Sequence, residues 1–111
     1  MTVAQLRPVA EEDLVERTQY YRGQGGDQLG RRFLDTALNA LRAIERMPGI
    51  GSPRVGELSD IPGLRWFRIT GFPRGWFYLD RTDRLDVVRL LAYAPDLSSL
   101  LPDQESGPRA G

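Results

Sequence analysis

The stretch "GDQLGRRFLDTALNALRAIERMPG", Gly26 to Gly49, decides how this chain folds. Leu29, Phe33, Ala37, Leu41 and Ile44 recur at steps of four and three, which is one face of a helix. Leu34 and Leu38 widen the stripe, while Arg31, Arg32, Asp35, Arg42 and Glu45 lie mostly on the other side. Asp27 stands where an N-cap would. Pro48 and Gly49 stop the helix. An amphipathic helix of this kind needs an apolar surface to lie on, and the rest of the chain must supply it.

Upstream, "TVAQLRP" alternates and predicts a short strand ended by Pro8. A first helix follows, with Ala10, Leu14, Thr18 and Tyr21 on one face. Glu11, Glu12 and Asp13 fit its first turn, where carboxylates favour the positive end of the helix dipole. "GQGGD" breaks that helix, and so short a link predicts an antiparallel helical hairpin. Downstream, "GIGSPRVGELSDIPG" reads as a loop. Three strands are then predicted: "LRWFRI", "GWFYL" and "RLDVVRLLAY". The links "TGFPR" and "DRTD" are hairpin-length, so the strands form an antiparallel meander. The third is apolar on both faces through Val87, Val88, Leu90 and Leu91, which predicts a central position. After Pro95, "LSSLL" predicts one helical turn, and residues 102–111 a disordered tail. The expected fold is α+β: a strand, a helical hairpin and a three-strand meander forming two layers, within one domain over residues 1–101.

Composition narrows the chemistry. The 111 residues contain no cysteine and no histidine. Disulfides, thiolate metal sites, Cys–His and Ser–His–Asp systems are therefore excluded, and no metal or cofactor is expected. All fifteen basic residues are arginine, so no lysine can act as nucleophile or base. The formal net charge is zero, which gives no overall attraction to nucleic acid. No run is long or apolar enough to cross a membrane. These features lean towards a cytoplasmic protein with no membrane and no small-molecule substrate.

Arginines and aromatics concentrate in the sheet half. By strand parity Arg65 shares a face with Phe67 and Ile69, and Arg68 with Leu64 and Trp66. Arg89 lies mid-strand among apolar residues, where a guanidinium needs a partner. Either it pairs with Asp86, Asp80 or Asp96, or it faces a binding partner. Trp66, Phe67, Phe72, Trp76, Phe77, Tyr78 and Tyr93 complete the group. Arginine interleaved with aromatics is either core with ion pairs or a nucleic-acid platform.

Three blocks carry a resemblance: "RRFLDTALNALRAIERMPGIGSPR", "IPGLRWFRITGF" and "FYLDRTDRLDVVRLLAYAPDLSSLL". In this order and spacing they resemble the ParE toxins of the RelE/ParE superfamily, from about Ala10 to Leu101. The resemblance implies a toxin of a bacterial type II toxin–antitoxin system, partnered by a cognate antitoxin. ParE-like members inhibit DNA gyrase by binding it; RelE-like members cleave messenger RNA on the ribosome. RelE-like nucleases place a basic residue after the last strand and a tyrosine in the final turn, where this chain has Pro95 and Leu101. Many ParE-like chains place histidine and arginine where Ala92 and Pro95 stand here. The gyrase reading assigns target contact to Arg65, Arg89, Tyr93, Asp96 and Leu97, and antitoxin contact to Phe33, Leu38 and Leu41. No residue is assigned a catalytic role under it. The nuclease alternative would use Arg65, Arg68 and Arg89 for charge and Tyr93 as acid. A third possibility is a degenerate toxin that only binds its antitoxin.

Overall fold

The computed structural model describes residues 2–93. Its elements are β1 (Ala4–Leu6), α1 (Pro8–Arg46), a 3-10 turn (Pro48–Ile50), α2 (Arg54–Ser59), β2 (Leu64–Arg68), β3 (Gly75–Asp80) and β4 (Leu85–Leu91). Pro8 both ends the first strand's run and opens α1, the first-turn position where its missing N–H costs nothing.

α1 is two helical arms. Backbone angles leave the helical region at Gly25 and Gly26, and Gly26 has φ 87°. Tyr21 and Phe33 prove that the arms fold back. Their ring centroids lie 4.9 Å apart, whereas twelve residues of unbroken helix would separate them by about 18 Å. Gly30 lies where the arms touch, and a Cβ there would stand 3.3 Å from the Thr18 carbonyl oxygen. The helical hairpin expected from "GQGGD" is therefore present.

The strands form one sheet in the order β1-β4-β3-β2. β2–β3 and β3–β4 are antiparallel and make the expected meander. β1 adds a parallel edge, pairing Ala4 with Leu85 and Leu6 with Val87. β4 is interior, as its two apolar faces predict. The register between β3 and β4 shifts at Phe77/Tyr78, so that Phe77 opposes Arg89 and Tyr78 opposes Val87.

Two apolar clusters result. The larger joins α1 to the sheet through Phe33, Ala37, Leu41, Ile44, Ile69, Phe72, Trp76, Tyr78, Leu85, Val87 and Leu90. Trp76 donates its indole N–H to the Ala37 carbonyl at 2.9 Å, fixing the second arm on β3. The smaller cluster, Val55, Leu64, Phe77 and Val88, occupies the opposite sheet face under α2. The stretch Gly49–Gly63, read from sequence as loop, contains the 3-10 turn and α2. Gly56 permits this: a Cβ there would meet the Leu64 carbonyl oxygen at 2.7 Å, so only glycine lets α2 lie so close to β2. The final helical turn and the tail expected after Pro95 lie outside the described residues.

Candidate functional site

Arg89 is anchored by Asp13. The carboxylate accepts from Arg89 Nε at 2.8 Å and Nη2 at 3.0 Å, and its Oδ2 also accepts the Leu90 N–H at 3.0 Å. Among the described residues the acid paired with Arg89 is Asp13, not the expected Asp86 or Asp80, and the third candidate, Asp96, lies outside them. Asp13 thus does more than favour a helix dipole. The register shift at Phe77/Tyr78 interrupts the ladder beside Arg89, and the first arm of α1 crosses there. Hydrogen bonding to Asp13 outweighs burial and, with the nearby charges of Asp13, Glu12 and Glu16, holds the Arg89 guanidinium above its ordinary pKa.

Asp86 belongs to a different cluster. Arg7 reaches both its oxygens at 3.0 Å, and Arg81 reaches Oδ2 at 3.1 Å. Burial alone would raise this carboxyl, but the hydrogen bonds and charges of Arg7 and Arg81 hold it below its usual value. The cluster ties the β1–α1 junction to β4. Its members are scattered in sequence at positions 7, 81 and 86, and no pattern there joined them.

Arg65 faces the 3-10 turn. Its Nη1 donates to the carbonyls of Gly51 at 2.7 Å and Gly49 at 3.3 Å. Beside it, the Tyr78 hydroxyl accepts the Gly51 N–H at 2.9 Å and donates to the Pro48 carbonyl at 2.7 Å. Burial pushes the Tyr78 phenol above its ordinary value, against the lowering effect of the Gly51 bond and Arg65. In the sequence Tyr78 stands only within an aromatic group that is either core or a binding platform, and this polar task was not legible there. Arg68 is exposed and donates to the Phe72 carbonyl at 3.2 Å.

Tyr93 is 39% exposed at the end of the last strand. Its ring meets Trp66 edge-on at 5.2 Å, and the Trp66 indole N–H points to the Leu91 carbonyl at 3.4 Å. Ala92 is exposed beside it. Asp96, Leu97, Pro95 and Leu101 lie outside the described residues. Phe33 and Leu41 are 0% and 7% exposed and belong to the core, so they present almost no surface; Leu38 is half-buried at its margin. Arg65, Arg68 and Arg89 thus hold separate intramolecular partners rather than converging on one point. No group of three or more metal-ligating side chains exists among the described residues, and no described helix is long and apolar enough to cross a membrane.

No protein-family model matches the chain, and no curated protein does. A solved structure described as "Chromosomal ParDE TA system from P. aeruginosa" contains a chain with this fold. The TM-score is 0.71 at 16% identity, over 85% of this chain and 98% of that one. The class is therefore defined at the level of fold: the α+β architecture implied by the ParE-like resemblance is the architecture of this chain, with α2 on the second sheet face as a departure from the two layers expected from sequence.

Proposed function

We propose that this chain, as one domain over residues 1–101, is the toxin of a type II toxin–antitoxin system, ParE-like in action. It inhibits growth by binding a cytoplasmic target, DNA gyrase, and a cognate antitoxin neutralises it. The observation that carries this reading is the fold shared with a chain of a ParDE system over nearly that chain's whole length. Action by binding agrees with the side chains present. General acid–base work near neutral pH draws most often on histidine, and the chain has none. Target contact is assigned to the strand end around Tyr93, continuing into Asp96 and Leu97, with Arg65 and Arg89 setting the sheet beneath it. Leu38 is the antitoxin candidate with accessible surface. The test is gyrase supercoiling with the purified chain. Inhibition with accumulation of cleaved DNA is expected; neither appearing at large molar excess would sink the assignment.

The exposed phenol of Tyr93 is the one feature that favours an mRNA endonuclease instead. Two substitutions separate the readings. Tyr93→Phe keeps the ring against Trp66 and removes the only nearby acid. Growth arrest is expected to persist in Tyr93→Phe and to weaken about tenfold or more in Tyr93→Ala, as loss of a buried aromatic contact does. Arrest abolished by Tyr93→Phe, together with codon-phased cuts in translated messages, would establish the nuclease. A chain that arrests nothing without its antitoxin would be a degenerate toxin.

A further inference from the structure

The two edges of the sheet are covered unequally. β2, the outermost strand on one side, is met by Ser52, which exchanges both backbone hydrogen bonds with Trp66 at 2.9 and 3.1 Å. β1 is outermost on the other side, and among the described residues no strand lies beyond it. The Val3 carbonyl accepts the Leu85 N–H, and the Arg7 N–H donates to the Val87 carbonyl. The odd positions therefore bond to β4, while the backbone groups of Ala4 and Leu6 point away from the sheet. A row of outward N–H and carbonyl groups is a template for another strand.

Among the described residues, one side chain hydrogen-bonds to this edge. The Glu45 carboxylate accepts the Ala4 N–H at 2.8 Å, from 41 residues away in sequence. Its place in the helix does not explain it. Glu45 lies in the last turn of α1, where the helix dipole disfavours a carboxylate. Its effect is on the edge. It puts an acceptor oxygen where an incoming strand must put its own carbonyl. Pairing would then set two acceptors against each other, or strip the carboxylate of its donor and bury its charge, which is costly. Val3, beside Ala4, is 56% exposed, so pairing would also cover apolar surface.

We propose that Glu45 guards the β1 edge, and that without it two copies of this chain join through β1 into one continuous sheet. The occupant is a second copy because β1 is complementary to itself. With a two-fold axis at Gln5 and the strands antiparallel, Ala4 of each copy stands opposite Leu6 of the other. Each such pair exchanges both of its outward hydrogen bonds. The arginines nearby do not oppose this, since Arg7 and Arg81 pair with Asp86 and Arg84 with Asp83. Association stops at two copies, because the joined sheet ends at both sides on β2, where Ser52 is already in place. β1 is three residues long and Pro8 follows closely. The edge therefore offers few bonds, and one carboxylate suffices to keep the native chain monomeric.

The test is analytical ultracentrifugation of the full chain over a concentration series. The native chain is expected to sediment as a monomer. Glu45→Ala is expected to form dimers, with a dissociation constant about tenfold or more below any native one. Its urea midpoint should stay near the native value, because α1 loses an unfavourable charge as Ala4 loses one bond. Two added changes should restore the monomer. Gln5→Lys, at an exposed position, sets like charges directly opposite each other across the axis. Ala4→Pro removes the outward N–H and no bond to β4. Should Glu45→Ala lose its fold by circular dichroism, Glu45→Met, a good helix former with no carboxylate, carries the test with the same direction expected. Association no stronger than the native chain's would overturn the proposal. So would open-ended aggregates in place of dimers, or dimers that Gln5→Lys leaves intact. A Glu45→Ala chain that stays monomeric yet binds an extended peptide of unrelated sequence would mark a site for foreign strands and overturn it too. No gyrase enters the measurement, so its failure is distinct from failure in the supercoiling assay.

Discussion

Asp13 shows how much one side chain can settle. It accepts three hydrogen bonds from β4, two from a guanidinium and one from a backbone N–H, and the side chains of the pair are 11% and 17% exposed. Removing the acid strands both a cation and an amide. Asp13→Ala is expected to cost about 3 kcal/mol in urea denaturation, because breaking a shielded pair leaves the surviving charge uncompensated. The double variant Asp13→Leu, Arg89→Leu should recover most of that loss. A cost below about 1 kcal/mol for Asp13→Ala would place the pair among ordinary surface bridges. Tyr78→Phe poses a similar question in a neutral setting. It orphans the buried Gly51 N–H and should cost about 1 to 3 kcal/mol by the same measurement. Neither role was legible in sequence. Asp13 stands in a run of acids that a helix start explains fully, and its partner lies 76 residues away. Arg89 did announce its need, being charged among apolar neighbours; only the identity of the acid required the fold.

Among elements, those with strong periodicity were legible and those built by tertiary contact were not. The second arm of α1 and the three meander strands follow directly from their apolar spacing, and β4 is interior because both its faces are apolar. β1 is three residues long, and its parallel pairing depends on β4 being available beside it. α2 could not be read: six residues containing a glycine have little helix propensity alone. Val55, fully buried, and the close approach at Gly56 hold it in place. The break in α1 was legible as glycine, but its depth was not. Gly26, at φ 87° and ψ −179°, occupies a region that side chains strongly disfavour. Gly26→Ala is therefore expected to cost about 1 to 3 kcal/mol by chemical denaturation. Gly23→Ala, in the first arm with open space around it, should be neutral or stabilising. Similar values for the two would mean the hairpin turn is not under the constraint its angles imply.

For the molecule as a whole, the absence of histidine and the direction of the resolved shifts lead to one pH profile. Asp86 titrates below its usual 3.8, so its stabilising contribution is complete above that value and is lost as pH falls through the folded value. Tyr78 titrates above 10.0, so its contribution is complete below that value and is lost as pH rises through the folded one. Both shifts move titration away from neutrality, and no side chain here has an ordinary pKa between about 5 and 8. Urea midpoints should therefore be flat from about pH 5 to 9, with an acid limb that Asp86→Asn shallows and an alkaline limb that Tyr78→Phe shallows. An inhibitor that works by contact through arginine, tyrosine and apolar groups should bind its target with an affinity constant across that plateau, once the target's own titration is subtracted. A bell-shaped activity centred near neutrality would require an acid and a base poised there. In a chain of arginines and carboxylates, that result would identify a residue whose environment is changed by the partner, and would move the reading from binding towards catalysis.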